Sequence, residues 1–371
     1  MKILIENTVP LNNGDAALIF SIGEKFEEAG NEVYYSVPHL KKIKEIYPEK
    51  NWIQSFLPLR VIKIPVVGLI ILSMLLISSK EHRNFDAIIS APGGYINSYY
   101  SFKRRLQLMT LYKFLLRKKI YMYSQSIGPF KEKDSKIFAK YVKHFNLFYV
   151  RDDISMNRTL ELGNFKNLFQ TKDAAFLLKT IDYSKIKNNK VAISVREWKF
   201  DDRSEKVYFD LIKSIVNYFY ENGYEVTFLS TCQGEPMYKD DSLVAKKIYS
   251  ELDKKVQNSV KVDDSFYNLH DLRKRLTNFD FVVGTRLHMC ILSWLSGTPA
   301  LNISYEEKGK ESYKYLNIEK YSIDYNHSGE IDTVLSNFVN ESKFSDVFKK
   351  IKDVQIESNE NFKKLYKDIK E

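Results

Sequence analysis

Cysteine is scarce: Cys232 and Cys290 are the only two, and they lie far apart in the chain. That pattern gives neither a disulfide framework nor a zinc-finger spacing, and it suits a reducing compartment. Glycine (14) and proline (9) are also few, which argues against long flexible linkers. The glycine fingerprint G-x-G-x-x-G is absent, and so are a D-x-D pair and a His–carboxylate cluster. Asp152, Asp153 and Asp173 are the candidate ligands, but without such a pair or cluster no metal site is expected. The opening residues, MKILIENTVP, hold one lysine and a three-residue apolar run. A secretory signal needs an apolar stretch of about 7–15 residues. The expectation is a cytoplasmic protein that begins at Met1.

Charge of one sign is not scarce, because the formal net charge is +10. The lysines are scattered through helical stretches and form no basic tail, and no nucleic-acid motif appears. Two readings stand: a solvated Lys-rich surface, or attraction of anionic partners such as phosphorylated substrates or an anionic membrane face.

At 371 residues, with 44% hydrophobic and 28% charged positions, the chain is globular and long for one core. It reads as alternating strands and helices. Lys2–Glu6 is a buried strand, Asn12–Asp15 a turn with Asp15 as N-cap, and Ala16–Phe26 a helix stopped at Gly30. Glu32–Val37 completes a βαβ unit. Phe85–Ser90, Lys119–Tyr123 and Leu147–Arg151 are further strands, ending in loops that carry Gly93 and Gly94, Gln125 and Ser126, and Asp152. Asp182–Lys190 is polar and aperiodic, so the boundary is placed there, giving domains 1–182 and 183–371. The rhythm restarts with strands at Val191–Val195, Glu225–Ser230, Phe279–Gly284 and Pro299–Ser304. The expected class is α/β, with two Rossmann-like domains facing a cleft. The tail Glu341–Glu371 reads as helical, and a terminal helix of this kind could pack back on the first domain.

The stretch richest in chemistry is Phe279–His288 (FDFVVGTRLH). A buried strand ends at Gly284, which lets the backbone approach something closely, and Thr285 is placed to cap the next helix. Arg286, Leu287 and His288 then fall in its first turn, an anion-binding position. Arg286 and His288 lie about 200° apart on an ideal helix and converge only through the lean of first-turn side chains. Arginine matches carboxylate or phosphate as a planar fork, and histidine carries protons near neutrality. Arg196 and Glu197 follow the strand Val191–Val195, where an arginine reaches a cleft or pairs a neighbouring carboxylate. Asn13, Gly14 and Asp15 occupy the place of a phosphate loop in doubly wound folds; the plain alternative is turn and cap chemistry. Gly93, Gly94, Gln125 and Ser126 either admit a bulky acceptor or simply make tight turns.

These pieces together resemble the polysaccharide pyruvyl transferase family. They are NNGDAA at 12–17, APGG at 91–94, SQSIGPF at 124–130, VRDD at 150–153, KDAAF at 172–176, SVRE at 194–197 and GTRLH at 284–288. Lys308 stands where that family tends to carry a lysine. The resemblance implies a GT-B-like pair of Rossmann domains and transfer of a pyruvyl group from phosphoenolpyruvate to two hydroxyls of a sugar, as a ketal. It assigns Arg196 and Arg286 to the donor's anionic groups and His288 to acid–base work, with no cofactor beyond the donor substrate. The acceptor would be a surface polysaccharide or its lipid-linked precursor. The alternatives are a GT-B-type glycosyltransferase using a nucleotide sugar and a non-catalytic glycan-binding protein.

Val61–Ser79 is very apolar and is flanked by Arg60, Lys80 and Arg83, with Lys63 near its start. Three placements are open to it: a buried core helix, a peripheral in-plane membrane contact, or a membrane span, for which the uninterrupted run is short.

Overall fold

The computed structural model describes residues 1–182, 188–197, 204–234, 239–304, 307–325, 328–341 and 344–371, with the side chains of 307–310 and 328 outside the description. The chain divides into two compact units. The first comprises Met1–Pro10, Asp15–Leu177 and Gln355–Glu371; the second comprises Leu11–Gly14 and Leu178–Val354.

The first unit is built on eight strands: β1 (Lys2–Glu6), β2 (Glu32–Val37), β3 (Asn51–Gln54), β4 (Ala87–Ser90), β5 (Gly93–Ile96), β6 (Lys119–Ile127), β7 (Leu147–Val150) and β8 (Leu168–Gln170). Their order is β3-β2-β1-β4-β6-β7-β8, with β5 also pairing β6, and every pairing is parallel. A parallel sheet needs cover on both faces, so its central strands carry long apolar runs. Leu4, Ile88, Ile120, Met122 and Phe148 accordingly join one buried cluster. Each such side chain contributes about 1.5–3 kcal/mol on burial. The end of the Phe344–Lys370 helix closes on this unit, where the Phe362 ring lies 4.9 Å from that of Phe26 and Tyr121 donates to Asp368 at 2.7 Å.

The second unit carries β9 (Lys190–Ser194), β10 (Glu225–Phe228), β11 (Val260–Val262), β12 (Phe281–Gly284), β13 (Ala300–Ser304) and β14 (Ser322–Asp324). The order β11-β10-β9-β12-β13-β14 is all parallel. Numbered within the unit, that order is 3-2-1-4-5-6, the doubly wound arrangement. Both units are thus parallel α/β sheets of the Rossmann type.

Four expectations need correction. β6 does not stop at Tyr123: it continues through Ile127, and Gln125 and Ser126 are strand residues rather than loop. Ser124 takes φ 53°, and the register against β7 shifts between Met122 and Gln125, so a bulge carries the strand onward. Gly93 and Gly94 open β5 instead of forming a free turn. Asp15 is not an N-cap, because the helix starts at Asn13; its carboxylate sits in the first turn, where it complements the positive helix end. The segment at 61–79 is a helix over Pro65–Ser78 whose buried residues are Gly68, Leu72 and Leu76, spaced by four; its other face is apolar and open to solvent, unlike a core helix. No described helix is long and apolar enough to cross a membrane.

Candidate active site

In an open parallel sheet, ligands bind beyond the carboxyl ends of the strands, where the strand order reverses. In the second unit that point lies between β9 and β12, whose last residues, Ser194 and Gly284, are register partners. Two positions beyond them stand Arg196 and Arg286. Tyr208, wholly buried on the Glu205–Glu221 helix, pins the two strand ends together. Its hydroxyl accepts from the Arg196 backbone N–H at 3.1 Å and lies 3.1 Å from Thr285 Oγ1. Thr285 donates its N–H (2.9 Å) and its hydroxyl (3.1 Å) to the Ser194 carbonyl. Thr285 is therefore a clamp between strand ends, not the helix cap expected of it. The cap position belongs to Arg286, and the helix runs over Leu287–Leu295. His288 is its second residue. Gly284 is required by packing: a Cβ there would stand 2.7 Å from Cys290 Sγ. Cys290 itself is inert, because burial pushes its thiol up to about 12.

The guanidinium of Arg286 points to Asp241. Nε and Nη2 each donate to one carboxylate oxygen at 2.7 Å, a two-pronged pair with an aspartate that has no solvent exposure. Lys239 joins them. Its pKa is lowered by partial burial and by the nearby charges of Arg196 and Arg286, against the opposing pull of Glu197 and Asp241. Lys239 thus feels two cations, Arg196 and Arg286, and two carboxylates, Glu197 and Asp241, from residues that follow the strand ends.

The NNGD segment meets the same place. The Asn13 backbone N–H donates to the Thr231 carbonyl at 3.0 Å, and its Nδ2 donates to the Tyr267 carbonyl at 3.0 Å. Gly14 lies against His288: a Cβ at Gly14 would stand 2.9 Å from His288 Cβ and 3.0 Å from Cγ and Nδ1. His288 is half-buried, with Nε2 sequestered from solvent. The second unit therefore gathers Asn13, Gly14, Arg196, Glu197, Thr285, Arg286, Leu287 and His288. Sequence reasoning missed Lys239, Asp241 and Tyr208. The Lys308 side chain lies outside the described residues.

The remaining expected positions fall in the first unit, where the order reverses between β1 and β4. Gln125 is fully buried; its Nε2 donates to the Gly93 carbonyl at 2.7 Å, and Oε1 has no partner among the described residues. The Ser126 hydroxyl is taken up by Asp152 (3.0 Å) and Arg151 (2.6 Å), and Arg151 also donates to buried Asp173 at 2.7 Å. VRDD and KDAAF therefore build an internal ion network. Among the described residues no group of three His, Cys, Asp or Glu is placed to hold a metal.

At the end of β1 stands Glu6, a further residue the sequence did not single out. It is buried, accepts from Tyr112 Oη at 3.0 Å and from the Asn7 N–H at 3.1 Å, and its pKa is raised by burial. Asn7, at φ 68°, donates from Nδ2 to Ser90 Oγ at 3.1 Å. Ser90 Oγ lies 2.7 Å from Tyr95 Oη, and the Arg105 guanidinium sits 4.8 Å from the Tyr95 ring centre. Gly94, Tyr95 and Arg105 are partly exposed beside this buried set, whereas Asp15 contributes its charge to the helix start.

Comparison with known proteins agrees with this architecture. The glycosyltransferase of Rickettsia africae superposes with a TM-score of 0.62 at 10% identity, over 99% of this chain and 98% of the other. The putative UDP-N-acetylglucosamine 2-epimerase of Listeria monocytogenes gives 0.61 at 10% identity, over 94% and 90%. Anabaena HepE, solved with UDP and glucose, gives 0.60 at 11% identity, over 97% and 95%. At these identities the likeness concerns the fold alone, which is that of two-domain GT-B proteins. In sequence, the amylovoran biosynthesis protein AmsJ of Erwinia amylovora is 29% identical over 262 residues, covering 65% of this chain; the chain spans 62% of that relative's length. The family model described as polysaccharide pyruvyl transferase matches residues 12–307, a span that includes the NNGD segment, Arg196, Arg286 and His288. The chain belongs to the polysaccharide pyruvyl transferase family.

Proposed function

We propose that the protein moves the pyruvyl group of phosphoenolpyruvate onto two hydroxyls of a sugar in a surface polysaccharide or its lipid-linked precursor, forming a ketal. The observation that carries this reading is the cation set at the second unit's switch point: Arg196, Lys239 and Arg286, with Asp241 fixing the last. A small enol ester bearing a carboxylate and a phosphate needs at least two cationic holders, and fixed cations stabilise the departing phosphate.

The balance of the reaction gives His288 its role. The methylene carbon of the donor takes up a proton and becomes a methyl group. One sugar hydroxyl adds to the adjacent carbon and loses its proton. Phosphate leaves with the C–O bond pair. The second hydroxyl then adds to the same carbon and gives up its proton in turn. His288 supplies the first proton and recovers one from a hydroxyl, and the other hydroxyl's proton leaves with the phosphate. Arg196 and Lys239 orient the donor anion, and Arg286 acts from a position held by Asp241. The reaction calls for no redox cofactor. In the first unit the Glu6–Asn7–Ser90 ends of β1 and β4, with Gly94, Tyr95 and Arg105 beside them, make the acceptor side: polar groups and a stacking ring suit a sugar.

Incubation with phosphoenolpyruvate and candidate acceptors should release phosphate only when an acceptor is present. His288→Ala should lower that release by about 10²–10⁴-fold, with the melting temperature unchanged. Turnover at the wild-type rate in the variant removes His288 from the mechanism. Stabilisation by a nucleotide sugar, with none by phosphoenolpyruvate, would instead favour glycosyl transfer; sugar binding without turnover of either donor would favour a glycan-binding role.

A further inference from the structure

The helix over Pro65–Ser78 has an outer face that no sugar chemistry explains. Its sequence, PVVGLIILSMLLIS, contains no charged residue, and no acidic residue occurs between Glu49 and Glu81. Gly68, Leu72 and Leu76 turn into the first unit's core. Opposite them, Val66 (71% exposed), Val67, Ile70 (52%), Met74 (64%) and Ile77 recur at helical spacing, and all are open to solvent. Surface helices ordinarily place charged or polar residues at such positions. Ile64, also exposed, extends the stripe at its start, where Arg104 holds the chain by donating to the Ile64 and Pro65 carbonyls at 2.7 Å each.

Both ends of the stripe are basic. Arg60 and Lys63 precede it in a short 3-10 turn; Lys80 and Arg83 follow it in a short helix with one acid, Glu81. We infer that this face is a docking surface for an anionic lipid bilayer, with the helix lying in the plane of the membrane. At 14 residues the helix is roughly 21 Å long, too short to cross a hydrocarbon core of about 30 Å. In-plane burial needs only the apolar stripe to sink below the headgroups, with cations at its margins. Charge also selects the occupant. A second copy of this chain laid along the stripe would bring cation against cation in either direction, because both ends are basic. Anionic headgroups neutralise both ends at once. This inference does not rest on the pyruvyl-transfer reading. Binding would hold the chain at a surface that a lipid-linked acceptor also occupies.

The test is sedimentation of the full chain with vesicles of phosphatidylcholine alone and of phosphatidylcholine mixed with phosphatidylglycerol. The chain should pellet with the anionic vesicles, less so as salt rises, and stay largely in solution with the neutral ones. The double variant Ile70→Asp, Met74→Asp alters exposed side chains only. It should keep the melting temperature and lose at least about tenfold in vesicle partitioning. Absence of pelleting with anionic vesicles, or equal pelleting by wild type and variant, overturns the inference. So does a wild type that sediments as a dimer in analytical ultracentrifugation while the variant is a monomer, since the stripe would then be an interface between copies. Phosphate release, measured separately without lipid, reports on catalysis alone.

Discussion

In both units the strand order reverses beside the first strand, β1 against β4 and β9 against β12, yet the two switch points carry different chemistry. The second unit gathers Arg196, Lys239 and Arg286 around Asp241, and His288 lies against Gly14. The first unit buries a carboxyl, Glu6, among hydroxyls, amides and a tyrosine ring, with Arg105 over that ring. The second unit's switch point is thus rich in charge, and the first unit's is rich in hydroxyl, amide and aromatic groups. Fold alone does not choose between these; the side chains placed at the strand ends do.

The comparison can be broken most severely at Asp241. Its carboxylate is fully buried and holds the Arg286 fork on both oxygens. Removing one partner of a buried ion pair strands the other and costs about 3–5 kcal/mol. Asp241→Ala should therefore lower the melting temperature by many degrees and also weaken donor binding, read as loss of thermal stabilisation by phosphoenolpyruvate. An unchanged melting temperature would make the pair incidental.

Gly14 gives a smaller effect whose sign is informative. It lies in the first turn of the Asn13–Glu28 helix, where helix propensity alone favours alanine by about 0.5–1 kcal/mol. The new Cβ would sit 2.9–3.0 Å from the His288 side chain, and such overpacking costs about 1–3 kcal/mol. Gly14→Ala should therefore destabilise the protein, and should cost less in a His288→Ala background, where the ring is gone. A stabilising substitution, or an equal cost in both backgrounds, breaks the contact between the NNGD segment and His288.

The same contrast shows what the sequence can and cannot disclose. Strands such as Lys2–Glu6 and Glu32–Val37 were legible to the residue, because buried parallel strands are continuous apolar runs between turn signals. The short strands Asn51–Gln54, Leu168–Gln170 and Val260–Val262 were not, since three or four residues, some of them exposed, give no period to read. The GTRLH stretch was visible as a strand running into a helix, but its internal geometry was not: Arg286 turns to an aspartate 45 residues away. Lys239 and Asp241 carry no local signature, because their roles arise from where the chain returns in space. The helix at 65–78 was legible as apolar, and only tertiary packing decides which half of it is covered.

Glu6 tests the other side of the comparison with the smallest expected effect. Burial raises its pKa in the folded state, so folding favours the protonated carboxyl. The stability Glu6 contributes is then fully present below the ordinary carboxyl range and is lost as pH rises through the raised folded value. Ser36, Asn7, Tyr112 and Arg105 face it, and the Ser36 hydroxyl foremost among them partly offsets the desolvation. Glu6→Gln keeps the shape and removes the titration. Paired melts should show the variant gaining on the wild type as pH is taken from about 4 to 8. A difference that stays flat over that range, or that moves toward the wild type, would mean the carboxylate is well solvated or well paired in the fold. The first unit's strand ends would then be a charged site like the second's.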